Sequence, residues 1–212
     1  MNTPIADFVE KYAKQNMSRM HMPGHKGKTF LGCEAMDITE IGGADSLYEA
    51  DGIIAESEAN ATKLFGTGKT LYSTEGSSQC IRAMLYLVLL HESCCEQKSI
   101  SKDDKERSVI LAARNVHKSF VQAVAVLDLD VEWIYPEGNS SSICSCVISA
   151  EELGEKIKAL PKPPIAVYVT SPDYLGGQLD IKALSEVCHR NNTLLVVDNA
   201  HGAYLKFLTP SL

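Results

Sequence analysis

The second half of the chain alternates between short β-rich runs and longer amphipathic stretches. The runs that predict strands are residues 70–73, 109–112, 131–135, 165–170 and 194–197. Between them the pattern predicts helices over residues 76–91, 118–127, 150–160 and 181–191. The last run has no polar alternation, which is typical of a strand covered on both faces. Because strands alternate with helices, the pattern predicts a three-layer α/β fold with a mostly parallel sheet and flanking helices.

Capping signals support several of these helix boundaries. Ser149-x-x-Glu152 has the spacing of a capping box, and Asp180 is a predicted N-cap. In the first half, Thr3-Pro4 predicts a helix start, with Thr3 as the cap and Pro4 in the first turn. A further helix is predicted over residues 53–65, closed by Gly66.

Composition narrows the class of protein. A chain of 212 residues with 45% hydrophobic content has enough apolar material for one sizeable core. The net charge of −7, without a long basic run, argues against nucleic acid as a partner. No apolar window is long enough for a bilayer, and Asp7 and Glu10 interrupt any secretion signal. Seven cysteines without a Cys-x-x-Cys pair suit a reducing cytosol and predict neither disulfides nor a metal site. We therefore expect a cytoplasmic protein with no membrane partner.

Polar groups follow the predicted strands, at the edge where open α/β sheets bind ligands. Gly76-Ser77-Ser78 begins a helix, and free N–H groups there could hold a phosphate; an ordinary serine N-cap is the alternative. His117 follows the second strand, where its ring could lie against a flat ligand or cap a helix. Thr170 and Ser171 leave the fourth strand, either to reach a ligand oxygen or as simple turn residues.

Asp198 ends the last strand. Burying a carboxylate at this position costs free energy unless a cationic group pairs with it. A helix cap or a surface ion pair is the alternative. His201 lies near enough to join the site, or could be a buried histidine bonded to backbone. Together these groups fit a flat, phosphorylated, cationic heterocycle. Residues 20–28 are a separate candidate. Gly and Pro interrupt this segment too often for a helix or a strand, and its His and Lys residues indicate a functional loop rather than a simple linker.

The order of several motifs resembles the pyridoxal-phosphate-dependent ornithine/lysine/arginine decarboxylases of the aspartate-aminotransferase fold type I. The matching segments are Met22-Pro23-Gly24-His25-Lys26-Gly27, Asp37-Ile38-Thr39-Glu40, Glu75-Gly76-Ser77-Ser78, Arg114-Asn115-Val116-His117-Lys118-Ser119, Thr170-Ser171-Pro172 and Asp198-Asn199-Ala200-His201-Gly202-Ala203. The similarity covers nearly the whole chain and is greatest to the short branch, which has no receiver-like N-terminal domain. Departures are Glu75, where many relatives have a small or amide residue, and Asn199, where an acidic residue is common.

The resemblance implies a role for each candidate. Residues 76–78 (Gly76, Ser77 and Ser78) would bind the cofactor phosphate, His117 would stack on the pyridine ring, and Asp198 would pair with the ring nitrogen. Thr170, Ser171 and His201 would lie near the ring hydroxyl, with His117, Asp198 and His201 as the catalytic residues. His25 and Lys26 would belong to a loop at the active site or at a dimer interface.

The implied reaction is decarboxylation of lysine, ornithine or arginine to the amine by a homodimer or larger homo-oligomer. The family's Schiff-base lysine, in a Ser-x-His-Lys setting, has no counterpart in this sequence. The resemblance therefore predicts an N-terminal segment, residues 1–50, and a partial pyridoxal-phosphate-binding large domain, residues 51–212, incomplete at its C-terminus and inactive alone. The alternatives are a truncated relative that binds cofactor or a partner without catalysis, and an aminotransferase or β-eliminating lyase of the same fold.

Overall fold

The computed structural model describes residues 1–15, 17–96, 107–135 and 142–208. The chain divides into two compact units, Met1–Tyr72 and Ser73–Leu212. This division falls inside the predicted large domain of residues 51–212, and the predicted boundary between residues 50 and 51 stays a prediction. Within the described residues, no helix combines the length and the apolar content needed to cross a bilayer.

The described residues of the first unit form two α-helices and two short 3-10 turns. Helix α1 is Pro4–Lys14 and α2 is Ile53–Phe65, with the turns at His25–Gly27 and Glu34–Met36 between them. Proline in the first turn begins α1 as predicted. Gly66 ends α2 in the left-handed conformation, with φ of 65°, so the predicted helix end is confirmed.

The second unit is an α/β sandwich. Its elements are α3 (Gly76–Glu96), β1 (Val109–Ala113), α4 (Lys118–Val126), β2 (Asp130–Ile134), α5 (Ala150–Ala159), β3 (Ala166–Thr170), α6 (Ile181–Arg190), β4 (Leu194–Asp198) and a 3-10 turn at Ala203–Phe207. All pairings are parallel, and the strand order is β2-β1-β3-β4. The predicted α/β class is confirmed, and α3 runs beyond its predicted end at residue 91.

Two apolar clusters cover the two faces of the sheet. On one face Leu111 and Val167 pack in a cluster that includes residues of α5 and α6. On the other face Tyr168 packs in a cluster that includes residues of α3 and α4, with Phe120 fully buried. Successive strand residues point to opposite faces, so each strand supplies both clusters. Each large apolar side chain buried in this way contributes about 1.5–3 kcal/mol.

The caps predicted for α5 and α6 are present. The cap predicted for α1 is wrong, because Thr3 makes no side-chain capping hydrogen bond and its hydroxyl donates to the Asp7 carboxylate at 2.8 Å instead. The Ser149 Oγ accepts a hydrogen bond from the Glu152 N–H at 3.1 Å, and the Glu152 carboxylate accepts one from the Ser149 N–H at 2.6 Å. The Asp180 carboxylate accepts the Ala183 N–H at 3.0 Å. These bonds satisfy donors that the first turns of α5 and α6 cannot satisfy themselves.

The strand predicted at residues 70–73 is wrong. The Thr70 N–H donates to Thr62 Oγ1 at 2.9 Å, and the Tyr72 N–H donates to the Glu58 carboxylate at 2.8 Å. Both acceptors are side chains of α2, so these backbone donors are not available to a sheet. Leu71 between them is 61% exposed, whereas a central strand would bury it. Residues 70–72 are therefore a loop that lies along α2.

The two outer strands of the described sheet differ in charge. Strand β2 carries Asp130 and Glu132, and Arg107 lies 3.4 Å from the Asp130 carboxylate. Strand β4 is apolar from Leu194 to Val197 and has its one charged residue, Asp198, at its end. Within the described residues, each of these strands pairs on one side only.

Candidate functional site

The register of the sheet places Thr170 beside Asp198. They are paired residues at the carboxyl ends of β3 and β4, and each is 6% exposed. Two residues earlier on each strand, Tyr168 and Val196 belong to the cluster that includes residues of α3 and α4. By the alternation of strand side chains, Thr170 and Asp198 point to that same face. A hydroxyl and a carboxylate therefore lie side by side at the carboxyl edge.

Asp198 is held by two neutral donors. One carboxylate oxygen accepts the Tyr168 hydroxyl at 3.2 Å, and the other accepts the Ala200 N–H at 3.1 Å. Among the described residues, the ion pairs do not include Asp198, so the surface ion pair that was its alternative reading is wrong. Burying a carboxylate to this extent costs free energy when no cationic group pairs with it. Asp198 is therefore suited to pair with a cationic group of a ligand.

The Thr170 hydroxyl has no hydrogen-bond partner among the described residues. Leaving a buried polar group unsatisfied costs about 1–3 kcal/mol. In the described part of the chain, the side-chain oxygen of Asn115, in the loop after β1, is the other buried side-chain atom without a hydrogen-bond partner. Of these two, Thr170 lies directly beside the buried carboxylate, so a ligand meeting Asp198 would also have a hydroxyl within its reach.

Ser171 does not share this property. Its hydroxyl accepts the Leu179 N–H at 3.0 Å, so Ser171 takes part in the turn, and its role near a ligand stays a prediction. The next turn is organised by Asp173, whose carboxylate accepts the N–H groups of Leu175 and Gly177, each at 2.8 Å. Burial acts to raise the pKa of Asp173, but hydrogen bonds from Ser145 and from this turn outweigh it, so the pKa lies below its usual value.

His117 caps helix α4, as its alternative reading proposed. Its Nδ1 accepts the Ser119 N–H at 3.2 Å, which assigns the proton of the neutral ring to Nε2. The Ser119 hydroxyl lies 2.9 Å from the same Nδ1 and donates to the Ser78 hydroxyl at 2.8 Å. The cap uses the edge of the ring, so its faces are not consumed by these bonds. The starts of α3 and α4 are thus joined through side chains of two predicted site segments.

The predicted phosphate segment begins α3 with Gly76 at φ of 63°. Gly76 and Ser77 are exposed, and Ser78 is half-buried. Because the predicted strand before it is absent, this segment follows a loop. Glu75, the acidic departure from the family pattern, is paired with Arg82 at 2.6 Å, which offsets a charge that would oppose an anion.

His201 is exposed, so the buried alternative for this residue is wrong. Its ring centroid lies 5.3 Å from that of Tyr174. Both rings line an open cleft of about 250 Å³, together with Pro172, Asp173, Gly176, Gln178 and Tyr204. The cleft therefore lies beyond the carboxyl ends of β3 and β4.

The N-terminal loop belongs to the first unit. The His25 Nε2 lies 2.8 Å from the Asp37 carboxylate, and both side chains are substantially exposed. Lys26 has φ of 54°, a left-handed conformation uncommon for a residue with a side chain. The role of His25 and Lys26 at an active site or interface stays a prediction. Across the described residues, no group of three His, Cys, Asp or Glu side chains could hold a metal ion.

Open parallel sheets bind their ligands beyond the carboxyl ends of the strands. The Thr170 hydroxyl and the Asp198 carboxylate of this chain lie at that edge of the sheet. Its sheet and flanking helices have the large-domain architecture of fold type I enzymes. The family model described as "Orn/Lys/Arg decarboxylase, major domain" matches residues 3–211. The chain belongs to this family, which is one of lyases.

Individual relatives agree with this assignment. The arginine decarboxylase of Halalkalibacterium halodurans is 30% identical over 215 residues, covering 97% of this chain and 40% of the relative. The lysine decarboxylase LdcA of Pseudomonas aeruginosa is 24% identical over 230 residues, covering 94% of this chain and 28% of the relative. The crystal structure of the Francisella novicida lysine decarboxylase LdcF matches 95% of this chain and 29% of that chain, with a TM-score of 0.69 and 22% identity. The chain thus spans less than half the length of these relatives.

The sequence pattern did not identify Tyr168. It lies in the middle of an apolar strand, where a tyrosine usually indicates packing alone. Only the cross-strand register could have shown that its hydroxyl reaches Asp198.

Proposed function

We propose that this chain forms the pyridoxal-phosphate-binding edge of an enzyme that decarboxylates lysine, ornithine or arginine to the corresponding amine. The observation that carries the proposal is that a buried carboxylate, Asp198, lies beside the Thr170 hydroxyl, which has no hydrogen-bond partner in the part of the chain that the structure describes. A protonated pyridine with a ring hydroxyl would supply the cation and the polar group that these two side chains lack. The arginine and lysine decarboxylases among the relatives support the reaction class.

Asp198 would pair with the ring nitrogen. A buried carboxylate that meets a pyridine nitrogen favours its protonated form, since each charge stabilises the other. Thr170 would donate to the ring hydroxyl, with Ser171 and His201 nearby. The bound cofactor would supply the electron sink that lets carbon dioxide leave the substrate.

The helix starts would hold the rest of the cofactor. Gly76, Ser77 and Ser78 would offer the first-turn N–H groups and hydroxyls of α3 to the phosphate. His117 would present a ring face to the pyridine. The hydrogen bond between Ser119 and Ser78 would keep these two contacts at a fixed separation.

No lysine of this sequence stands in the family's Ser-x-His-Lys setting, so we propose that the chain does not catalyse the reaction alone. A homo-oligomeric assembly is part of the same proposal. For noncovalent binding, about 16 cofactor atoms at roughly 0.3 kcal/mol each give about 5 kcal/mol, or a Kd on the order of 0.2 mM.

Titration of the purified chain with pyridoxal phosphate, followed by absorbance and by Trp133 fluorescence, tests the proposal. Asp198→Ala should weaken binding about tenfold or more. Asp130→Ala is the matched control, because it makes the same change at the start of β2, on the opposite edge of the sheet. Equal binding by wild type and Asp198→Ala would contradict the assignment. Borohydride treatment should leave no reduced adduct on any single lysine, and such an adduct would show that the chain does contain a covalent anchor.

A further inference from the structure

Tyr168 is a buried ionisable residue to which the proposed reaction gives no role. It lies at the centre of β3 and is fully buried, with its ring centroid 4.4 Å from that of Phe120. The ring packs among apolar side chains, whereas the hydroxyl donates a hydrogen bond to the Asp198 carboxylate at 3.2 Å. A buried tyrosine hydroxyl needs a partner, and here the partner is the carboxylate at the centre of the proposed site.

The direction of this hydrogen bond is fixed by the surroundings. Burial, together with the negative charge of Asp198, raises the pKa of Tyr168 far above its usual value. The phenol therefore keeps its proton and acts as the donor. The aromatic ring has few rotatable bonds and is packed in the core, so the donor position is rigid.

The geometry limits what Asp198 can do. A carboxylate has about four lone-pair positions, and the Tyr168 hydroxyl and the Ala200 N–H occupy one on each oxygen. The carboxylate plane is thereby held from both sides, and each oxygen retains one position for a ligand. If either donor were removed, the carboxylate could rotate about its own side-chain bonds.

We propose that Tyr168 is a positioning residue, which acts through Asp198 to orient the carboxylate toward the ring nitrogen of the cofactor. This inference rests on the proposed function. A structural role alone would change the binding of any ligand of this shape. A positioning role should change only the part of the binding that depends on the ring nitrogen.

The test compares two ligands in two variants. The ligands are pyridoxal 5′-phosphate and its 1-deaza analogue, in which a CH group replaces the ring nitrogen. Tyr168→Phe removes the hydroxyl and keeps the ring, and we expect it to reduce the preference for pyridoxal phosphate over the analogue by about 3- to 10-fold. Tyr12→Phe is the matched control, because Tyr12 is also buried and its hydroxyl bonds to His21 Nε2 at 2.7 Å. This control should leave the preference unchanged.

The outcomes separate the two proposals. If Tyr168→Phe weakens both ligands equally, or neither, the positioning role is overturned while the proposed function stands. If the wild-type chain binds neither ligand, or does not prefer the one with nitrogen, the pairing of Asp198 with the ring fails and both proposals fall.

A measurement on the wild-type chain covers the case in which Tyr168→Phe does not fold. The Tyr168 hydroxyl proton, protected from exchange by burial, should shift in the NMR spectrum when pyridoxal phosphate is added. The 1-deaza analogue, which lacks the ring nitrogen, should change this chemical shift less. Identical responses to the two ligands would overturn the inference.

Discussion

Gly202 separates two turns of the candidate site, and adding one methyl group there tests their packing. A Cβ at this position would lie 3.0 Å from Pro172 Cγ and closer still to Pro172 Cδ and to the Asn199 side-chain oxygen. The Asn199 side chain can rotate away, whereas the proline ring cannot. The backbone of Gly202, with φ of −125°, is accessible to alanine, so the cost of Gly202→Ala is steric.

The magnitude follows from the overlap. Carbon atoms rest about 3.5–4.0 Å apart, so the two turns must separate by roughly 1 Å to relieve the contact. Overpacking of this kind costs about 1–3 kcal/mol. With a urea m-value of about 2 kcal/mol/M, the unfolding midpoint should fall by about 0.5–1.5 M. Because the moved turns carry Ser171 and His201, the proposed binding of pyridoxal phosphate should weaken as well.

Urea unfolding followed by the fluorescence of Trp133, the single tryptophan, measures this change. Gly154→Ala is the matched control in the same unit. It lies inside α5, and its Cβ would be 3.5 Å from Val187 Cγ1, an ordinary contact. Alanine is favoured over glycine within a helix by about 0.5–1 kcal/mol, so this variant should be more stable than wild type. An unchanged midpoint for Gly202→Ala would refute the packing described for the two turns.

Two further predictions concern the caps and the first unit. Ser149→Ala removes the acceptor for the Glu152 N–H and should lower the free energy of unfolding by about 1 kcal/mol, measured in urea; no loss would argue against the capping box. Backbone hydrogen bonds, that of Leu31 foremost, lower the pKa of Glu34 from 4.5 to about 2. Because this pKa is depressed in the folded chain, the stabilisation is present above about pH 4.5 and is lost as the pH falls toward 2. The amide shifts of residues 30–32 should follow this titration, and Glu34→Gln should abolish it; shifts that stay constant would contradict the assignment.

Much of the second unit could be predicted from local pattern. Strands β1 and β3 and the 194–197 part of β4 are recognisable because their residues are apolar or β-branched without polar alternation, and α5 and α6 because Ser149 and Asp180 precede them. Asp198 stands out because it interrupts a run of apolar residues at a strand end. Parallel topology then places Thr170 and Asp198 at the same edge without any knowledge of distances.

What could not be predicted depends on partners that are distant in sequence. Residues 70–73 have strand propensity, but side chains of Thr62 and Glu58 on α2 take their backbone donors. The sequence also does not show that, among the described residues, the Ser171 hydroxyl has a hydrogen-bond partner and the Thr170 hydroxyl has none. This difference arises because the Leu179 N–H bonds to Ser171. Propensity describes each residue in isolation, whereas these outcomes are decided by competition for hydrogen bonds.

Because the two outer strands differ in charge, a further strand could pair with the described sheet more readily at β4 than at β2. A strand added beside β2 would have to run along Asp130 and Glu132, whose carboxylates discourage pairing. Beside β4, the backbone groups are flanked by the uncharged residues Leu194–Val197. A parallel strand accommodated there would bring its own carboxyl end next to Asp198. The edge of the candidate site can thus acquire new side chains on the side of Asp198 away from Thr170, without rearrangement of the strands already in place.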